Sequence, residues 1–151
     1  MNRPFFLYPL ILLHAFLGIG AFAGGGMLLL KPDGSLLGMN PEWLEHSPFN
    51  NYLIPGVILF IFCGFLPLLT LIGLLLKPNW RWPNALNIYS DKHWAWAFSL
   101  YSGIIVISWI TIQLIMTQYF WLQPVMIFTG LLIIIFSLTP PVMKYFYISN
   151  I

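Results

Sequence analysis

The chain has 151 residues, of which 60% are hydrophobic and only 7% charged, with a formal net charge of +2. A soluble domain carries ~25% charged residues, and one this apolar would expose patches that aggregate. Composition therefore excludes an ordinary soluble domain, and the few scattered basic residues exclude a nucleic-acid surface.

The excess apolar surface needs lipid. A helix needs ~20 apolar residues to cross the hydrocarbon core, and four such runs, with their connections, use up the chain. The expectation is a single integral membrane domain over residues 1–151. Its fold is an all-α membrane protein: a four-transmembrane-helix bundle with spans at about 4–23, 51–76, 93–116 and 124–143. A small extracytoplasmic cap of hairpin and short helix fills residues 24–50.

Span 1 begins at Pro4, after Arg3. A signal peptide ending at Ala21-Phe22-Ala23 is the competing reading, but the apolar run exceeds an h-region of ~7–15 residues, so a retained anchor is expected. Gly24-Gly25-Gly26 should weaken or end the helix, since each glycine costs about 1 kcal/mol relative to alanine. Met27 to Met39 then reads as a hairpin around Lys31-Pro32-Asp33-Gly34, whose proline and glycine suit a type I turn. The alternative is one long helix continuing to Leu30. Asn40-Pro41-Glu42 is a helix-start signal, and Ser47-Pro48 keeps that helix short. Trp43 and Leu44 are placed to dip into the interface while Glu42, Glu45 and His46 stay wet.

Span 2 carries Pro55 in its first turn, where it is tolerated, and Pro67 in its interior, where it should kink the helix. A polar connection from Lys77 to Lys92 follows, with Trp80, Trp82, Trp94 and Trp96 resembling an interfacial aromatic belt. Span 3 ends near Met116, and a tight connection leads to span 4, which Pro140-Pro141 should break or kink after Leu138. Four spans place Arg3, Lys77, Arg81, Lys92 and Lys144 on one side and only Lys31 on the other. By the positive-inside rule both termini are cytoplasmic and the cap faces outward.

Candidate site residues are few. His14 lies mid-span, where an ionisable group is a functional hypothesis by default, as a proton relay or haem ligand. A bis-histidine haem needs a partner at matching depth, and His46 and His93 are expected at opposite edges. A neutral, hydrogen-bonded His14 is the plainer reading. Gln113, with Trp109 one turn earlier, is placed to line a pocket in the outer half, or to make a single interhelical hydrogen bond. Asp33, Glu42, Glu45 and His46 form an outer set with Trp43, but a cation site needs converging oxygens, so no metal is assigned. Cys63 is the only cysteine, so no internal disulfide or C-x-x-C exists. No G-x-S-x-G, H-E-x-x-H or P-loop occurs, and no carboxylate lies inside a span. No catalytic residue and no cofactor are assigned.

Gly24-Gly25, Pro32-Asp33-Gly34-Ser35, Leu37-Gly38-Met39, Ser47-Pro48-Phe49 and Tyr52-Leu53-Ile54-Pro55-Gly56 form a pattern across the first two spans and their connection. This resembles small four-span bacterial membrane proteins of unknown function, and the four-span plan is loosely similar to DoxX-type proteins. The resemblance implies a bacterial inner-membrane setting and carries over no catalytic residue.

The expected function is non-enzymatic: binding a membrane lipid or hydrophobic ligand, or associating with a copy of itself or another membrane protein. The alternative is a redox subunit linked to quinone or haem through His14. A small oligomeric transporter is the third reading.

Overall fold

The computed structural model describes residues 2–148. Three of its helices are long and apolar enough to cross a membrane: α1 (Leu7–Leu30), α2 (Leu53–Leu76) and, after a short helix α3 (Arg81–Ala85), α4 (Trp94–Met116). A shorter apolar helix, α5 (Leu122–Ser137), is followed by the short α6 (Pro140–Tyr145). No strand occurs among the described residues, apart from an isolated bridge between Lys92 and Tyr147.

The long helices are apolar on every side, so periodicity alone does not say which face turns inward. Packing selects one. On α1 the buried residues are Leu7, Leu10, His14, Leu17, Gly18, Ala21, Gly25 and Leu28, stepping by three and four residues along one seam. Leu12, Phe16 and Ile19 stay exposed on the other faces. α1 packs against α2 and α5, and α4 packs against the second half of α2 and along α5, closing a bundle of four.

Gly24-Gly25-Gly26 do not end α1, which runs through them to Leu30, so the hairpin expected over 27–39 does not form. The reason is close approach. A Cβ at Gly25 would lie 2.6 Å from the backbone nitrogen of Phe60, and one at Gly56 would lie 2.8 Å from Leu28 Cβ. Contact between the backbones offsets the helical cost of glycine. The cap is therefore shorter than expected and runs from Lys31 to Tyr52.

The interruption at Pro67 is met within α2 by a π-helical stretch, Leu59–Phe65. Proline lacks an amide and crowds the carbonyl four residues back. Widening the preceding turns is one way a helix accommodates this.

α4 and α5 also meet backbone to backbone, since a Cβ at Gly103 would lie 2.9 Å from Gly130 O. Toward the end opposite the cap, Trp96 Nε1 donates to Ser137 O at 2.8 Å, and the Ser99 and Ser137 hydroxyls lie 2.7 Å apart. That end is tied together by basic groups. An Arg3 guanidinium nitrogen donates to Leu75 O (2.9 Å), Lys77 Nζ donates to Tyr145 O (2.6 Å), and Lys92 pairs with Asp91. The expected aromatic belt is only half there: Trp80 and Trp82 are exposed, whereas Trp94 and Trp96 are buried in the core. Trp94 Nε1 reaches Pro78 O at 2.9 Å, which holds the 77–92 connection over the bundle end.

Candidate functional site

The connection between α1 and α2 is a built structure. Gly34 N donates to Lys31 O (3.1 Å), closing the expected turn, and Gly34 takes φ +81°, a conformation glycine adopts at no steric cost. Asp33 Oδ1 accepts from Ser35 N at 2.9 Å, and that amide holds the Asp33 carboxyl below the usual carboxylate range. Asn40 Oδ1 caps a 3-10 turn, Pro41–Leu44, by accepting from Glu42 N at 3.2 Å.

Tyr52 pins these pieces together. Its amide donates to Pro32 O (2.8 Å) and its hydroxyl to Asn40 O (2.7 Å). Its ring is buried in a small cluster with Leu28 and Leu44, separate from the main core. Trp43 stacks on Phe120, in the connection between α4 and α5, with ring centroids 6.5 Å apart. The cap thus folds over one end of the bundle and touches both sides of it.

Beneath it lies a cavity of about 590 Å³, within the ~300–1,000 Å³ range of ligand pockets. Leu37, Met39, Trp43 and Leu44 roof it, and Leu17 and Cys63 reach in from α1 and α2. Trp109 and Gln113 line it from α4, one turn apart on one helix face. Among the described residues no Asp, Glu, Lys, Arg or His lines it.

Several polar side chains in the wall already have partners. Gln123 is fully buried; its Oε1 accepts from Phe120 N (3.1 Å) and its Nε2 donates to Thr117 Oγ1 (3.4 Å). Ser47 Oγ donates to Leu44 O at 2.8 Å. Among the buried polar atoms of the wall, the exception is on Trp109. It is 7% exposed, and its indole N–H is buried without a hydrogen-bond partner. Leaving such a donor unmade costs roughly 1–3 kcal/mol.

The other residues singled out in the sequence lie elsewhere. His14 is buried on the α1 seam, one turn beyond Leu17 and outside the cavity wall. Its Nδ1 lies 2.9 Å from Leu10 O, so Nδ1 carries the proton, and Nε2 has no partner. Glu42 accepts from Asn40 Nδ2 at 3.2 Å, while Glu45 and His46 are exposed on the cap. Among the described residues no three His, Cys, Asp or Glu side chains come together as a metal set. His93, at the far end, caps α4: its Nδ1 accepts from Ala95 N (3.2 Å) and its Nε2 donates to Pro78 O (3.2 Å).

Sequence reasoning missed Tyr52 and Gln123. Tyr52 carried a usable signal, an aromatic between a turn-rich segment and a span. Gln123 carried none, because a glutamine in a tight connection reads as solvated. Comparison with protein-family models, with curated proteins and with solved structures finds no match for this chain.

Proposed function

We propose that this is a multi-pass protein of the bacterial inner membrane that holds a hydrophobic ligand in the cavity beneath its cap, without catalysing a reaction. One observation carries the reading: an apolar cavity of about 590 Å³, roofed by a hydrogen-bonded cap and walled by three of the apolar helices and the start of the fourth. Among the described residues the wall supplies no carboxylate, histidine or lysine to move a proton, which favours holding over chemistry. Purification in mild detergent followed by organic extraction and mass spectrometry tests it. Near-stoichiometric recovery of one lipid class is expected. Protein that carries no lipid and rebinds none sinks the reading.

In this proposal all four apolar helices cross the bilayer. At 1.5 Å per residue the 16 residues of α5 give about 24 Å, short of the ~30 Å core, and α6 continues the path to the surface. Arg3, Lys77 and Lys92 make their contacts at the end opposite the cap, which favours cytoplasmic termini and an outward cap. Reporter fusions at the C-terminus and at Gly38 should report opposite sides. A cytoplasmic signal from Gly38 would reverse the topology.

A further inference from the structure

The wall of the cavity also bears on what kind of molecule fits, given the reading that it holds a ligand at all. At about 30 Å³ for a water-sized group, 590 Å³ accommodates roughly 20 non-hydrogen atoms. That suits one chain with a small head and falls far short of a two-chain phospholipid. The absence of charged side chains from the described wall leaves an ionised head without a counter-ion, which is costly away from water. One buried donor, Trp109 N–H, lacks an acceptor, and Gln113 lies one turn along the same wall. The exposed wall residues are Gly20, Ala23 and Met27 on α1, Leu37 in the cap and Trp121 beside α5. They mark a lateral mouth between α1 and α5, facing hydrocarbon rather than the water beyond the cap.

We propose that the cavity takes a single-chain, uncharged amphiphile from the bilayer through this lateral mouth. A small turn of the Trp109 ring brings its N–H, which has almost no exposed surface of its own, to the cavity, where it donates a hydrogen bond to an oxygen of the head. Long-chain alcohols and monoacylglycerols share this chemistry.

The test uses full-length protein in detergent micelles and native mass spectrometry. Its probes are monoolein, oleyl alcohol, oleate at a pH where it is fully ionised, dioleoylphosphatidylcholine and octadecene. Wild type is expected to retain monoolein or oleyl alcohol one to one, about tenfold or more over oleate. Whichever is retained better identifies the source. Trp109→Phe keeps a ring but removes the donor. It should weaken retention of the oxygen-bearing probe roughly fivefold and leave octadecene unchanged. Gly20→Phe tests the mouth independently: Gly20 lines the opening, and a Cβ there meets nothing within 4 Å, so a large side chain starts from open space. It should abolish retention of every probe while the protein remains folded. Preference for oleate or the phospholipid, or equal retention by wild type and Trp109→Phe, overturns the assignment of an uncharged hydrogen-bonded head while leaving the cavity as a hydrophobic site. Unchanged retention in Gly20→Phe overturns the lateral mouth. If wild type retains none of the probes and carries no lipid of its own, the holding function falls with it.

Discussion

Removing the Tyr52 side chain should open the cap without unfolding the bundle. The Tyr52 hydroxyl makes one hydrogen bond, to Asn40 O, and the ring is 2% exposed between Leu28 and Leu44. Tyr52→Phe removes only the hydrogen bond. Asn40 O still accepts from Trp43 N at 3.1 Å, so the carbonyl is not left unpaired, and the loss should fall at the low end of the usual range, about 0.5–1 kcal/mol. That corresponds to roughly 2- to 5-fold faster hydrogen exchange of the amides in 31–52. Tyr52→Ala also empties the ring site, which costs about 3–5 kcal/mol for an aromatic core residue. Cap exchange should then rise by about two orders of magnitude or more. The effect should stay local, because the Leu28, Leu44 and Tyr52 cluster is separate from the main core and opens as its own unit. Exchange mass spectrometry on the detergent-solubilised protein provides the assay, with Trp94–Met116 as internal reference. Unchanged cap protection in Tyr52→Ala refutes the pinning role. An equal loss of protection in Trp94–Met116 refutes the cap's independence from the bundle.

Two glycines in α1 should respond oppositely to alanine. Gly20→Ala places its Cβ in open space and should stabilise by up to about 1 kcal/mol, whereas Gly25→Ala drives a methyl into the Phe60 backbone and should destabilise by about 1–3 kcal/mol, both read by thermal unfolding in detergent. The Ser99 and Ser137 hydroxyls are coupled, since Ser137 Oγ donates to Ile133 O at 2.7 Å and so accepts from Ser99; a double-alanine cycle should return about 0.5–1.5 kcal/mol, and additivity would dissolve the pair. Burial, reinforced by the nearby Lys77 charge and opposed by the hydrogen bond to Pro78, holds His93 below the usual histidine value. Its Nδ1 is committed as acceptor for Ala95 N, so protonation breaks the cap of α4. The unfolded chain then binds the extra proton more readily, and stability should be full above about pH 6.5 and fall as pH drops from there toward the lower folded value. His93→Gln should flatten that slope, and an unaltered slope would assign it to another group.

The sequence by itself determined the all-helical class, because so apolar a chain has no soluble solution and each long run must satisfy its own backbone. Two helices were legible too: Trp94–Met116 and Leu53–Leu76 fall within a residue or two of the expected 93–116 and 51–76, and the Lys31 to Gly34 turn and the Asn40 cap follow from local turn and capping chemistry. Trp109 and Gln113 were legible as a pair because helical spacing fixes their common face. The length of α1 was not legible, since a glycine triplet looks like a stop until its partner helix is known. Which face of each helix turns inward was equally hidden, because residues apolar all round leave the choice to packing. Only the tertiary structure brought the cap, α1, α2, α4 and the start of α5 around one cavity and left Trp109, in its wall, with a buried unpartnered N–H. A cavity is a property of surfaces far apart in sequence that fail to meet, and no single stretch of the chain encodes it.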